Sequence, residues 1–232
     1  MSNVIHVPKR RIAGGSPAVI VDRGSYTRAN KQSSTSQSFS IGAAPTGANR
    51  RFVIAIICSV GADSTRTLSS FTIGGSAGTT VTSWDNGGQG ISIAYREINT
   101  GTTATIAWSL SGNRTSHGCD VYTIETDSDG LTVVDSGANI SSNNPSDTLT
   151  VDTDDMIVAL GCAVISSGAG SWDNGTEVIS YADSGGSDQE AMCSMYDTVT
   201  AGDGGSYSAT YTETGTPSQM MDIAAFRGAA PV

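Results

Sequence analysis

The sequence predicts an all-β fold, a sandwich of short antiparallel strands, and three observations carry that prediction. β-Branched and aromatic residues recur in runs of six to ten bounded by Gly, Asn, Asp and Ser, the pattern of strands closed by tight turns. Good helix formers rarely recur at a spacing near 3.6 residues. An apolar run that begins at Phe52 also returns, face for face, at Met156. With 232 residues, 38% of them hydrophobic, a single chain of this kind buries roughly 70–75% of its unfolded surface, enough for one sizeable core.

The returning run fixes the organisation. At an offset of 104, Phe52, Ile54, Ile56, Cys58 and Val60 answer Met156, Val158, Leu160, Cys162 and Val164. These are alternate residues, hence one face of each strand. The other faces (Val53, Ala55, Ile57 and Ile157, Ala159, Ala163) are small or apolar too, so both strands read as interior. Further matches follow in order: "AYREINTG" from Ala94 with "MYDTVTAG" from Met195, "IAWSLSG" from Ile106 with "ATYTETG" from Ala209, "DVYTI" from Asp120 with "DIAAF" from Asp222. Their offsets stay between 101 and 103. The chain thus reads as two pseudo-repeats, about 36–128 and 131–229, within one body spanning 36–232. Leu131, Val133 and Val134 give the junction the look of another strand and not of a linker. Some six or seven strands per half are expected to close as one double-sheet jelly roll.

The pentapeptide SWDNG stands at Ser83–Gly87 and at Ser171–Gly175, 88 residues apart and out of step with the other matches. The collinear partner of the second copy is nearer "TIGG" at Thr72–Gly75, so the copies mark two different turns, for which Asn-Gly supplies the positive φ.

Charge divides the chain differently. Residues 1–31 hold six of the twelve basic side chains (Lys9, Arg10, Arg11, Arg23, Arg28 and Lys31) against one acid, Asp22. The remainder carries 21 acids and six bases. A basic extended arm over 1–35 is expected to dock on a protein surface, and the acidic body argues against wrapping nucleic acid. No apolar stretch approaches the ~20 residues of a membrane span, and the start lacks a signal-peptide core. Synthesis and folding in a cytoplasm follow as the expectation. Cys58, Cys119, Cys162 and Cys193 sit in strand patterns without a CxxC pair, so buried free thiols are expected and neither a zinc nor a redox site.

Catalysis finds little support. Only His6 and His117 are available for a Ser-His-Asp arrangement, no GxSxG accompanies them, and His117 reads as a loop residue. Glu125, Asp127 and Asp129 alternate in the manner of a glycosidase strand, but the run ends in Asp-Gly and reads as a strand entering a turn. Asp127 and Asp129 are weak candidates for calcium, and the EF-hand pattern fails because no Glu stands at its last position. No cofactor is expected. The sharper candidates are Trp84, Asp85, Asn86 and Trp172, Asp173, Asn174, where an aromatic ring beside amide and carboxylate groups suits a sugar.

The succession of an apolar strand, "TIGG", "ISIAYREINTGTTATIAWSLSG", "DVYTIE", "DTLTVDTDDMIVAL" and "SWDNGTEVISYAD" resembles β-sandwich proteins of tailed-bacteriophage virions, jelly rolls that are often concanavalin-like. The likeness covers about 36–229 and lies in turns and alternation. It implies a non-enzymatic head decoration, head fibre, or tail or spike component, assembled in the bacterial cytoplasm. Its partners would be capsid, portal or tail proteins and further copies of itself, with host-surface glycan as a possible contact. No catalytic residue carries over. The alternative class is a free lectin or carbohydrate-binding module.

Overall fold

The computed structural model describes residues 19–60, 68–85, 89–127, 130–141, 143–165, 170–183, 189–200, 204–213 and 218–228. Every regular element among them is a strand: β1 (Val19–Ser40), β2 (Arg50–Val60), β3 (Leu68–Ile73), β4 (Ser76–Ala77), β5 (Thr79–Asp85), β6 (Gln89–Glu97), β7 (Thr103–Thr126), β8 (Leu131–Ser141), β9 (Ser146–Leu149), β10 (Met156–Ile165), β11 (Ser171–Trp172), β12 (Thr176–Asp183), β13 (Gln189–Thr198), β14 (Tyr207–Thr212) and β15 (Ser218–Gly228). They form a seven-stranded, a five-stranded and a three-stranded sheet, all paired antiparallel.

Two sheets about one interior were expected, but the described strands enclose three apolar clusters. The cause is the two-faced strands read from the sequence. β2 sends Phe52, Ile54, Ile56, Cys58 and Val60 into a central cluster shared with Met156, Val158, Leu160 and Cys162 of β10. Its other face, Val53, Ala55 and Ile57, meets Phe39, Ile73, Ile106 and Trp108 in a second cluster. The other face of β10, Ile157, Ala159 and Ala163, meets Trp172, Ala209 and Tyr211 in a third. A strand apolar on both faces is stable only with a layer on each side. Strands therefore stack in four layers, the two central ones meeting face to face.

Each central layer has five strands. In one, β2 lies between β7 and β6, with β1 beyond β7 and β5 beyond β6. In the other, β10 lies between β15 and β13, with β8 beyond β15 and β12 beyond β13. The outer layer of the first half is made by bending. β7 pairs with β2 over 116–126 and with β3 over 106–110, and β1 accompanies it throughout, from Val19 opposite Glu125 to Ser40 opposite Thr103. The two ends of β1 meet: Ser40 Oγ donates to Asp22 Oδ2 at 2.5 Å, and Gly24 lies so close to the Phe39 ring that a Cβ there would stand 2.7 Å from it.

This shortens the arm predicted over 1–35. Residues 19–35 belong to β1, so the boundary expected at 35/36 falls inside a strand of the body. The arm is expected from its basic charge, yet the backbone of 19–35 satisfies the edge of β7, a partner some 80 residues away in the chain. Residues 1–18 lie outside the described residues.

The outer cluster of the second half is built around Tyr211 and Trp172. Tyr211 is fully buried, its ring tilted against Trp172 at 5.5 Å between centroids. A Cβ at Gly161 would stand 2.3 Å from that ring, so the bare strand at Gly161 makes room for it. In the first half Ile57, Trp108 and Ile73 belong to the outer cluster, where Gly24 lies close to Phe39.

Candidate functional site

The structure separates the two SWDNG copies. Ser83–Asp85 closes β5, where Trp84 pairs with Ile91 of β6 and remains 47% exposed. Asp85 is partly buried, and Asn86 lies outside the described residues. Trp172 sits in an outer layer opposite Tyr211, its Nε1 donating to the Cys193 carbonyl at 3.1 Å, and it is 9% exposed. Asp173 and Asn174 are exposed, but both are engaged in the following turn. Asp173 Oδ1 accepts the Thr210 amide at 2.7 Å, and Asn174 Nδ2 donates to the Ser208 carbonyl at 3.3 Å. Gly175, at φ 80°, supplies the left-handed step. One tryptophan is a surface platform and the other a core residue. Trp172→Ala is expected to cost about 3–5 kcal/mol in chemical unfolding, whereas Trp84→Ala costs under about 1 kcal/mol. Similar losses at both would refute the distinction.

The remaining sequence candidates disperse. Asp127 follows β7 and is partly buried, with the Thr126 hydroxyl donating to its carbonyl at 3.1 Å, and Asp129 lies outside the described residues. Among the described residues no group of three or more His, Cys, Asp or Glu is placed to hold a metal ion. His117, read as a loop residue, is fully buried in β7 with its ring 6.3 Å from that of Trp108. The four cysteines are free and buried. Burial pushes the Cys119 thiol well above its ordinary pKa, with the Asp120 charge adding to the shift, which leaves it a poor nucleophile. Of the basic leader, Lys9, Arg10 and Arg11 lie outside the described residues. Arg28 and Lys31 fall within β1 where only the backbone is described, and Arg23 is exposed. Its guanidinium lies 5.2 Å from the centre of the Tyr196 ring, a cation–π contact that ties β1 to the second half.

That contact borders a notable polar cluster in the central interior. Asp120 is 1% exposed, and it shares the face of β7 that carries Tyr122 and Ile124 into the central cluster. Burial raises its pKa to about 6, against the opposing pull of the Tyr122 and Ser194 hydroxyls, the Val121 amide and Arg23. Tyr122, whose hydroxyl donates to the Met195 carbonyl at 3.3 Å, is itself pushed well up by burial and by Asp120. Asp222 shares the face of β15 that carries Met220, Ala224 and Phe226 into the same interior. It is fully buried, and desolvation raises its pKa well above the carboxylate range, the Thr82 hydroxyl and Ile223 amide opposing and Asp147 assisting. Neither carboxyl completes a well-aligned hydrogen bond. Two acids that favour the protonated state thus face the seam between the halves. Burial shifts both carboxyls toward the protonated form.

Two further charged groups escaped the sequence reading. Arg51 is completely buried, and its guanidinium donates to six backbone carbonyls: Ile98 at 2.7 Å, Ile41 and Gly42 at 3.1 Å, Ala43 at 2.6 Å, and Thr100 and Gly101 at 2.9 Å. Asp155, also fully buried, receives Arg227 Nε at 2.5 Å and Nη2 at 2.6 Å and the Asp152 amide at 2.7 Å. Each stands one residue before the apolar run of its central strand; Arg51 fastens that start to two loops, and Asp155 fastens it to β15 and to the turn at Asp152. The only sequence signal was their place, since a charge directly before a two-faced apolar strand is bound to be carried inward. Comparison with family models, with curated proteins and with solved structures found no match for this chain.

Proposed function

We propose that the chain is a non-enzymatic structural protein of a bacteriophage virion, a head decoration, fibre or tail component. Its basic leader docks on the particle, and its acidic β body is displayed as a homo-oligomer. The virion assignment rests on the resemblance of the strand and turn succession to such proteins. The observation that carries the docking reading is the position of the leader. β1 is an edge strand with β7 as its one partner among the described residues, so the basic segment enters the body at a flank and not through its interior. The reading as one double-sheet jelly roll draws support from the β1–β7 ribbon, which bends so that both of its limbs line one cluster. The reading as two pseudo-repeats is supported by the matching places of β1, β7, β2, β6 and β5 in one central layer and β8, β15, β10, β13 and β12 in the other.

Removing residues 1–18 tests the docking role, because it spares β1. The truncated chain is expected to keep the melting temperature of the full chain and to lose incorporation into particles, read by mass spectrometry of purified virions. Normal incorporation would refute the role. A longer deletion to residue 31 strips thirteen residues from β1 and confounds docking with stability.

The exposed ring of Trp84 favours a second reading, a carbohydrate-binding module. On that reading Trp84→Ala abolishes retention on host polysaccharide, while the truncated chain binds as the full chain does.

A further inference from the structure

The four edges of the central layers are unequal in charge. β1 and β12 lie together on one flank of the stack, and β5 and β8 lie together on the other. Among the described residues each has a strand neighbour on one side only: β7, β13, β6 and β15 respectively. β1 carries Arg23, Arg28 and Lys31 against Asp22, whereas β12 carries Glu177 and Asp183 and no base. β5 and β8 carry one acid each, Asp85 and Asp135. Val21, one of the two large apolar side chains that stand out as exposed among the described residues, belongs to β1. Edges of this length, with no second strand neighbour among the described residues, offer amides and carbonyls to a further strand.

We propose that a second copy of this chain docks on the β1–β12 flank about a two-fold axis parallel to the strands, so that β1 of each copy meets β12 of the other. Charge selects this arrangement among those open to two identical bodies. Joining one flank to the opposite flank sets β1 favourably against β5 but β12 against β8, acid on acid. A two-fold axis along the stacking direction sets β1 against β1 and β12 against β12, like on like in both seams. An axis along the strands sets a net-basic edge against an acidic edge twice, in a closed, self-complementary contact. The β1 side of each seam also buries Val21. The seam deepens the homo-oligomer part of the function proposed above and does not depend on particle docking.

Light scattering of the full-length chain tests it, with the mass followed from about 1 to about 100 µM, the range in which modest self-association becomes visible. A dimer is expected whose dissociation constant rises at least about tenfold between about 50 and 300 mM salt, because the contact is rich in surface charge. Arg28→Glu with Lys31→Glu should give a folded monomer, and adding Glu177→Lys with Asp183→Lys should restore the dimer. Hydrogen exchange of the unaltered chain gives a second readout, in which amides of 19–29 and 176–183 slow at dimer concentrations. A monomer throughout, a dimer indifferent to charge reversal, or protection gained instead at β5 and β8 would each overturn the seam. None of these outcomes alters the virion-incorporation test of residues 1–18, so the two readings fail separately.

Discussion

Replacing Arg51 with leucine is expected to destabilise the protein by about 3–5 kcal/mol, the range found when a buried charged residue is removed from its partners. The size follows from what the side chain leaves behind. Six carbonyls, from Ile41 to Ala43 and from Ile98 to Gly101, converge on one guanidinium that is itself inaccessible. Burial lowers the Arg51 pKa and the Glu125 charge raises it again, and an arginine remains protonated throughout. Leucine supplies the apolar stem and none of the donors, so the carbonyls are stranded or the two loops must open to water. The loops are joined by the Ile41 amide donating to the Thr102 carbonyl at 3.0 Å, just where β7 begins, so opening them loosens the start of the longest strand. Arg51→Lys is expected to recover only part of the loss, since an ammonium has three donors and no planar fork. Urea unfolding with an unchanged slope is the measurement. A loss below about 1 kcal/mol, typical of a surface position, would show that water replaces the guanidinium freely.

Arg51 also marks where sequence reasoning stopped. The two-faced character of β2 and β10 was legible because period-two alternation is a local pattern, and both faces of each strand could be read without knowing any neighbour. The pairing of Asp120 with Asp222 was legible as a match between "DVYTI" and "DIAAF", but the burial of both was not. An aspartate among β-branched residues reads equally as an outward position, and only the stacking of a second sheet seals it. β1 was misjudged for a related reason. Its run from Ser25 to Ser38 has no hydrophobic rhythm, and what makes it a strand is the open edge of β7, which no local pattern announces. The offset distinguishes the SWDNG copies in the sequence, but their burial was not separable there. Trp84 and Trp172 have the same five letters around them, and their difference lies in Tyr211 and Gly161, residues supplied by other strands.

The buried acids should make stability fall as pH rises through the mildly acidic range. A carboxyl whose folded-state pKa is raised keeps its proton in the native protein after the unfolded chain has released it. Its contribution is therefore fully present below the unfolded pKa, near 4 for an aspartate, and is lost as pH climbs through the folded value. For Asp120 that value is about 6. The shift of about two units corresponds to roughly 3 kcal/mol, at 1.36 kcal/mol per unit. Asp222, whose pKa burial also raises well above its ordinary value, adds in the same direction. Glu97 acts oppositely, because its hydrogen bond and charge contact with Arg50 hold its pKa below the ordinary value, so its contribution disappears as pH falls. Stability is thus expected to peak at mildly acidic pH and to decline toward neutrality. Asparagine at both positions imitates the protonated carboxyl in size and in lacking charge. Asp120→Asn with Asp222→Asn should therefore flatten the decline and leave the double variant more stable than the original above pH 7, while the two chains melt alike near pH 4. Among the described residues, Asp120 meets hydroxyls with Arg23 at the rim, and Asp222 meets Thr82 with Asp147 beyond. Melting temperatures between pH 4 and pH 8 decide the matter. A decline that persists unchanged in the double variant would mean that the seam between the central layers holds its acids ionised.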